Sequence, residues 1–144
     1  MQRRDFLALT AAVSLALPMA ARAEMIEYTP GLVDQKLESG QTVFVDFHAT
    51  WCGTCAAQTR VIEALLAENP VYAQMITFVR VDWDTYKDDE LTTWLNIPRR
   101  STLVVLKGQA VTGDHYEVGR IVAGTSRDEI KALLDAAMGA ATAS

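Results

Sequence analysis

The sequence predicts an α/β fold in which one mixed β-sheet lies between layers of helices. Three observations carry this. The hydropathy pattern alternates strand and helix in the order βα-βα-βα-ββα. The segment Val43-Phe44-Val45-Asp46-Phe47 is apolar at nearly every position, as a strand covered on both faces requires. The chain's two cysteines, Cys52 and Cys55, follow that strand at once and open a helix. A C-x-x-C pair so placed marks redox chemistry when strands and helices alternate around it.

The first segment stands apart. Arg3 and Arg4 precede an apolar run from Phe6 to about Ala20. The run falls short of the roughly 20 residues that a membrane-spanning helix needs. Pro18 interrupts it, and Ala21-Arg22-Ala23 forms a small-x-small cleavage site. Residues 1–23 therefore read as a signal peptide cut after Ala23, leaving 24–144 as a single domain. Arg3-Arg4-Asp5-Phe6-Leu7 is similar to the twin-arginine export motif, which implies export in the folded state. The plainer alternative is an ordinary secretory signal with a basic start. The expected location is the bacterial periplasm.

Residues 1–23 hold three arginines and one acid, so the remainder carries ten basic and seventeen acidic residues, a net of −7 against −5 for the whole chain. Nothing in that balance suggests a nucleic-acid groove or a basic membrane surface. No second apolar run could anchor the cleaved chain. About 120 residues suit one domain with one core, and a monomer is expected.

The elements follow in order. Met25 to Thr29 suits a short edge strand. Pro30 fits the first turn of a helix, Leu32, Val33 and Leu37 give it an apolar stripe, and Gly40 ends it. The Val43–Phe47 strand comes next. The helix after Cys55 carries Val61, Ile62, Leu65 and Leu66 at helical spacing, and Asn69-Pro70 breaks it. Pro70 to Met75 reads as a turn or short helix. Ile76 to Val81 is a second central strand, and Asp82 to Asp89 an acidic turn. Asp88 or Asp89 can cap a helix to about Leu95, with Leu91, Trp94 and Leu95 inward. Thr102 to Leu106 is a third strand, turned by Lys107-Gly108. A hairpin is expected around Thr112 to Tyr116, flanked by Val111 and by Val118–Ala123. Ser126 caps a last helix with Glu129 at the capping-box position, burying Ile130, Leu133, Leu134 and Met138. Gly139 to Ser144 is an Ala-rich end.

At C-x-x-C spacing Cys52 lies at the helix N-terminus and Cys55 one turn in, so their sulfurs can meet. The unpaired N–H groups and positive dipole end of the helix favour the Cys52 thiolate, the attacking species in disulfide exchange. The alternatives are an inert disulfide or half of a zinc site. A zinc site wants two more ligands, and only His48 and His115 remain.

The segment Val45-Asp46-Phe47-x-Ala49-x-Trp51-Cys52-Gly53-x-Cys55 resembles the active-site segment of the thioredoxin family. The similarity runs over roughly residues 25–138. It implies a thioredoxin-like three-layer fold and no dissociable cofactor. It implies that Cys52 is the nucleophile and Cys55 the resolving thiol, with Asp46 beneath them relaying a proton. Arg80 stands where the family often has a lysine near this acid. It would hold Asp46 ionised, or be a solvated strand end. Trp51 would cover the disulfide as a lid.

Departures from the family are as informative. Gly53-Thr54 replaces the usual dipeptides between the cysteines; the Thr54 hydroxyl could donate to a sulfur, or Thr54 is a plain helix residue. His48 replaces an aromatic; a cationic imidazole would lower the Cys52 pKa, whereas a neutral surface histidine would not. Ser101 stands in place of the family's cis-proline, before Thr102-Leu103-Val104-Val105. A non-proline cis bond costs about 2.5–4 kcal/mol, so Arg100–Ser101 is expected to be trans. The resemblance makes Ser101 and Thr102 part of a platform that pairs with a substrate peptide, with the Ser101 hydroxyl near the sulfurs. Arg99-Arg100 would select acidic partners or be solvated.

The segment Asp89 to Thr102 is similar to the periplasmic thioredoxin domain of transmembrane reductant conduits of the DsbD type. The expected function is thus a periplasmic thiol:disulfide oxidoreductase acting on protein thiols and disulfides, reductant rather than oxidant, fed by a membrane-embedded electron donor. Two alternatives stay open: a disulfide oxidase or isomerase, and a copper-binding or delivery module in which two thiolates and His48 hold Cu(I).

Overall fold

The computed structural model describes residues 24–108 and 115–143. The signal segment and the hairpin tip from Val111 to Asp114 lie outside the described residues. Strands Ile26–Glu27 (β1), Thr42–His48 (β2), Ile76–Asp82 (β3), Thr102–Gly108 (β4) and His115–Val122 (β5) form one sheet in the order β1-β3-β2-β4-β5. β1 and β2 run parallel to β3, while β4 runs antiparallel to β2 and to β5, so the sheet is mixed.

The apolar run of β2 takes a central place because both its faces are covered. Successive side chains of a strand point to opposite faces. Val43, Val45 and Phe47 pack with Val33 and Leu37 of the helix Leu32–Glu38 (α1). Phe44 packs on the other side with Ile62 and Leu65 of Gly53–Glu68 (α2) and with Ile130 and Leu134 of Arg127–Thr142 (α6). Three layers result. The short helices Val71–Met75 (α3), Trp83–Tyr86 (α4) and Glu90–Trp94 (α5) fill the connections.

Local chemistry sets the helix ends. The Asp89 carboxylate accepts the Leu91 N–H at 3.3 Å at the start of α5, and the Ser126 hydroxyl accepts the Glu129 N–H at 3.4 Å at the start of α6. Gly40, at φ 83°, carries the chain out of α1 in the left-handed region that glycine tolerates.

Four local expectations change. Lys107-Gly108 is not a turn: β4 pairs with β5 as far as Gly108 with His115, with a register shift at Val105/Leu106. The acidic segment after β3 contains the one-turn helix α4. Trp94 is 50% exposed instead of inward, with its indole N–H donating to Glu90 at 3.2 Å. The inward place belongs to Thr92, whose hydroxyl donates to the Tyr86 carbonyl at 2.7 Å. In α6, Ala137 joins the buried stripe and Met138 is only partly covered.

Leu134 is fully buried where α6 meets the sheet. Leu134→Ala should therefore cost about 2–5 kcal/mol, read as a lower urea midpoint with an unchanged denaturant slope.

Candidate active site

Where β2 ends, Ala49 to Trp51 turn the chain, and the Cys52 N–H donates to the Ala49 carbonyl at 3.1 Å. Cys52 is the N-cap of α2, in extended conformation, and its sulfur accepts the Cys55 N–H at 3.2 Å. Sulfur here does what a serine or aspartate oxygen does at other helix starts. Both thiols are free. Cys52 is 5% exposed and Cys55 0%.

The loop before β4 closes over this corner. Ser101 is fully buried and sits at φ 63°, and every peptide bond among the described residues is trans. Its N–H donates to the Phe47 carbonyl at 2.8 Å. Its carbonyl accepts the Ala123 N–H at 2.8 Å and the Gln58 amide at 2.9 Å. Its hydroxyl lies 3.1 Å from the sulfur of Cys52 and 3.1 Å from that of Cys55. The expected substrate platform changes accordingly. The Ser101 backbone is committed internally and has no free edge for a peptide. Thr102 is also fully buried, its hydroxyl donating to the Arg99 carbonyl at 2.7 Å.

The two thiols are made unequal. Burial pushes the Cys52 thiol up. The nearby Cys55 side chain, the hydrogen bonds from the Ser101 hydroxyl and the Cys55 N–H, and the Arg100 side chain outweigh it and bring the pKa down to about 7. For Cys55, burial and then the neighbouring Cys52 sulfur push the thiol up.

Asp46 is fully buried on the α2 side of β2. Burial raises its pKa to about 6, against the pull of Arg80, with Glu27 raising it slightly further. Arg80 donates to Asp46 at 3.3 Å and to the Thr59 hydroxyl at 3.1 Å. Of the two readings of Arg80, the pair with Asp46 is the one present, yet it offsets only part of the desolvation. His48 turns toward Asp46, with Nδ1 4.0 Å from Oδ2. Burial, then Arg80, lowers its pKa below the ordinary 6.5, so the imidazole is neutral at pH 7. It therefore supplies no cation to Cys52.

Trp51 is 59% exposed at the mouth of the site. Its indole N–H donates to Asp84 at 2.8 Å, and the Arg100 guanidinium lies 4.3 Å from the ring centroid. Thr54 makes no hydrogen bond to either sulfur; that hydroxyl contact belongs to Ser101. Two residues gain a part the sequence did not assign them. Arg100 favours the Cys52 thiolate as well as stacking on Trp51. Gln58, fully buried, joins Ser101 to Gly124 through one amide, donating to both carbonyls at 2.9 Å. The signal for Gln58 was its position, on the buried stripe that runs from Cys55 to Ile62 and Leu65.

No group of three or more His, Cys, Asp or Glu side chains that could hold a metal ion occurs among the described residues. The copper alternative enlisted His48, which faces Asp46.

The family model described as Thioredoxin matches residues 24–136. A thioredoxin of Chlamydia trachomatis serovar D is 36% identical over 93 residues, covering 64% of this chain and 78% of the relative. The chloroplastic thioredoxin X of Arabidopsis thaliana is 33% identical over 100 residues, covering 69% of this chain; the chain spans about half, 52%, of that relative's length. Among solved structures, Trxlp from Edwardsiella tarda EIB202 has a TM-score of 0.61 at 28% identity, covering 76% of this chain and 97% of that one.

The raised pKa of Asp46 has a stability consequence. Between about pH 4 and pH 6 the folded chain holds the Asp46 proton more tightly than the unfolded chain, so this group's contribution falls as pH rises through about 6. Asp46→Asn should stabilise the fold at pH 7 by up to roughly 3 kcal/mol. The gain should vanish below about pH 4, measured by urea unfolding at both pH values.

Proposed function

The chain belongs to the thioredoxin family of thiol–disulfide oxidoreductases, and we propose that it exchanges disulfides with proteins outside the bacterial cytoplasm, as a reductant. The observation that carries the reading is the pair of free thiols one helical turn apart, with Cys52 lowered to a pKa of about 7 and Cys55 raised. A thiol whose pKa lies near ambient pH is close to the optimum for attack on a disulfide.

The Cys52 thiolate attacks one sulfur of the partner's disulfide, and the partner's other sulfur leaves as a thiolate. Cys55 then loses its proton and attacks the Cys52 sulfur. The mixed disulfide breaks, the second partner thiolate leaves, and a Cys52–Cys55 disulfide remains. The partner gains two electrons and the site loses two. Asp46, with a pKa near 6, is suited to accept the Cys55 proton. Trp51 and Arg100 form the rim that a partner protein meets.

Export is supported by the twin-arginine-like segment and by a family match that begins at residue 24, one past the expected cleavage site. The reductant direction is supported by the similarity of Asp89 to Thr102 to reductant-conduit domains. The periplasm is kept oxidising, so such a reductant draws electrons from a membrane-embedded donor. No helix among the described residues is long and apolar enough to cross a membrane.

Equilibration with glutathione tests the direction. A reduction potential near about −270 mV fits a reductant; one near about −120 mV marks an oxidase and overturns that part of the reading. Insulin-disulfide reduction that persists in a chelator separates exchange from copper delivery. Cys52→Ala should abolish exchange, whereas Cys55→Ala should accumulate mixed disulfides that dithiothreitol removes on non-reducing gels. Trapping by Cys52→Ala instead would invert the two sulfurs.

A further inference from the structure

The Ser101 hydroxyl is equidistant from the two reacting sulfurs, at 3.1 Å from each. It is fully buried, so bulk water does not compete for it. A hydroxyl carries one hydrogen and two lone pairs. It can donate to one sulfur while accepting S–H from the other, and it cannot donate to both. With Cys52 as thiolate and Cys55 as thiol, the satisfied arrangement runs in one direction. In that arrangement the Cys55 S–H would donate to the Ser101 oxygen and the Ser101 O–H to the Cys52 sulfur.

The rest of Ser101 is fixed. Its N–H is held by Phe47, and its carbonyl by Ala123 and Gln58. Rotation about the Cβ–Oγ bond re-aims the hydrogen without moving the backbone. We infer that Ser101 is a catalytic residue of disulfide exchange, whose hydroxyl hands its hydrogen bond from the Cys52 sulfur to the Cys55 sulfur as negative charge passes between them. This deepens the exchange reading above and rests on it.

The sequence of bonds balances. When the Cys52 thiolate bonds to a partner sulfur, its charge leaves with the partner thiolate and the Ser101 O–H loses its best acceptor. The hydroxyl turns toward Cys55. As the Cys55 proton departs to the Asp46 carboxylate or to water, the Ser101 O–H donates to the forming Cys55 thiolate. That thiolate attacks the Cys52 sulfur, the bond to the partner breaks, and the partner thiolate takes a proton from water. Ser101 starts and ends with its own hydrogen. A hydrogen bond to a charged group is worth more than a neutral one, so the donor follows the charge.

Two variants remove the hydroxyl. Ser101→Ala is the smaller change. Ser101→Gly suits the φ of 63° and guards against a folding defect caused by backbone strain. In the reduced full-length protein, the ultraviolet absorbance of the Cys52 thiolate is titrated against pH. In the oxidised direction, release of 2-nitro-5-thiobenzoate from its mixed disulfide on Cys52 is timed in a single turnover. In both variants the Cys52 titration midpoint should rise by about one pH unit, a tenfold loss of thiolate below it, and release should slow about tenfold. An unchanged midpoint and release rate in both variants overturns the inference. A change in only one of the two readouts overturns the handover. Wild-type protein that titrates normally but releases no thiobenzoate overturns the oxidoreductase reading instead, so the two failures are distinct.

Discussion

The backbone hydrogen bond from Ser101 to Phe47 anchors one half of the active site to the other. The Ser101 N–H donates to the Phe47 carbonyl at 2.8 Å, one step beyond the last β2–β4 pair, Phe47 with Thr102. It draws the loop before β4 onto the end of β2, where the chain turns into the cysteine helix. Left-handed backbone at a non-glycine residue costs on the order of 1–3 kcal/mol and persists only where the surroundings over-determine it. Ser101 has that over-determination, because Phe47, Ala123 and Gln58 all hold its backbone. Each such bond contributes about 0.5–1.5 kcal/mol net, enough together to hold the loop.

The polarity of the site follows from unequal hydrogen bonding more than from burial, which raises both thiols. Cys52 keeps a sliver of exposure and collects donors, whereas Cys55 lies wholly inside and collects fewer. The same logic applies to Asp46, whose second oxygen is buried without a hydrogen-bond partner. Arg80 answers only the first oxygen, and from a longish 3.3 Å. An ion pair optimised for stability would have satisfied both oxygens. An acid left half-answered has its proton affinity near the range where exchange operates, which suits chemistry better than rigidity.

The fold was legible because its signals are local and redundant. The unbroken apolar run of β2, the helical stripes and the Ser126 cap each specify an element without reference to the others. The failures were of another kind. Lys107-Gly108 has turn composition, yet its strand continues because β5 is there to pair with it. Trp94 falls on an apolar spacing, but the buried face of α5 is centred on Leu91, Thr92 and Leu95, which turns Trp94 outward. Of the two readings open for His48, the neutral one fits: alternation puts residues 44, 46 and 48 on one face, so His48 lies with Asp46. The commitment of the Ser101 backbone was not readable, since it depends on three segments distant in the chain.

Gln58 gives the molecule an inheritance constraint. Its single amide nitrogen spends both hydrogens, one on the Ser101 carbonyl and one on the Gly124 carbonyl. Glutamate has the same shape, but an ionised carboxylate only accepts, and it would set oxygen against two carbonyl oxygens. Leucine or methionine would fill the space and leave both carbonyls short of a donor. Asparagine carries the amide on a stem one methylene shorter. One codon step from glutamine to glutamate would therefore strip the Gly124 carbonyl of its side-chain donor and leave Ser101 held by Phe47 and Ala123 alone.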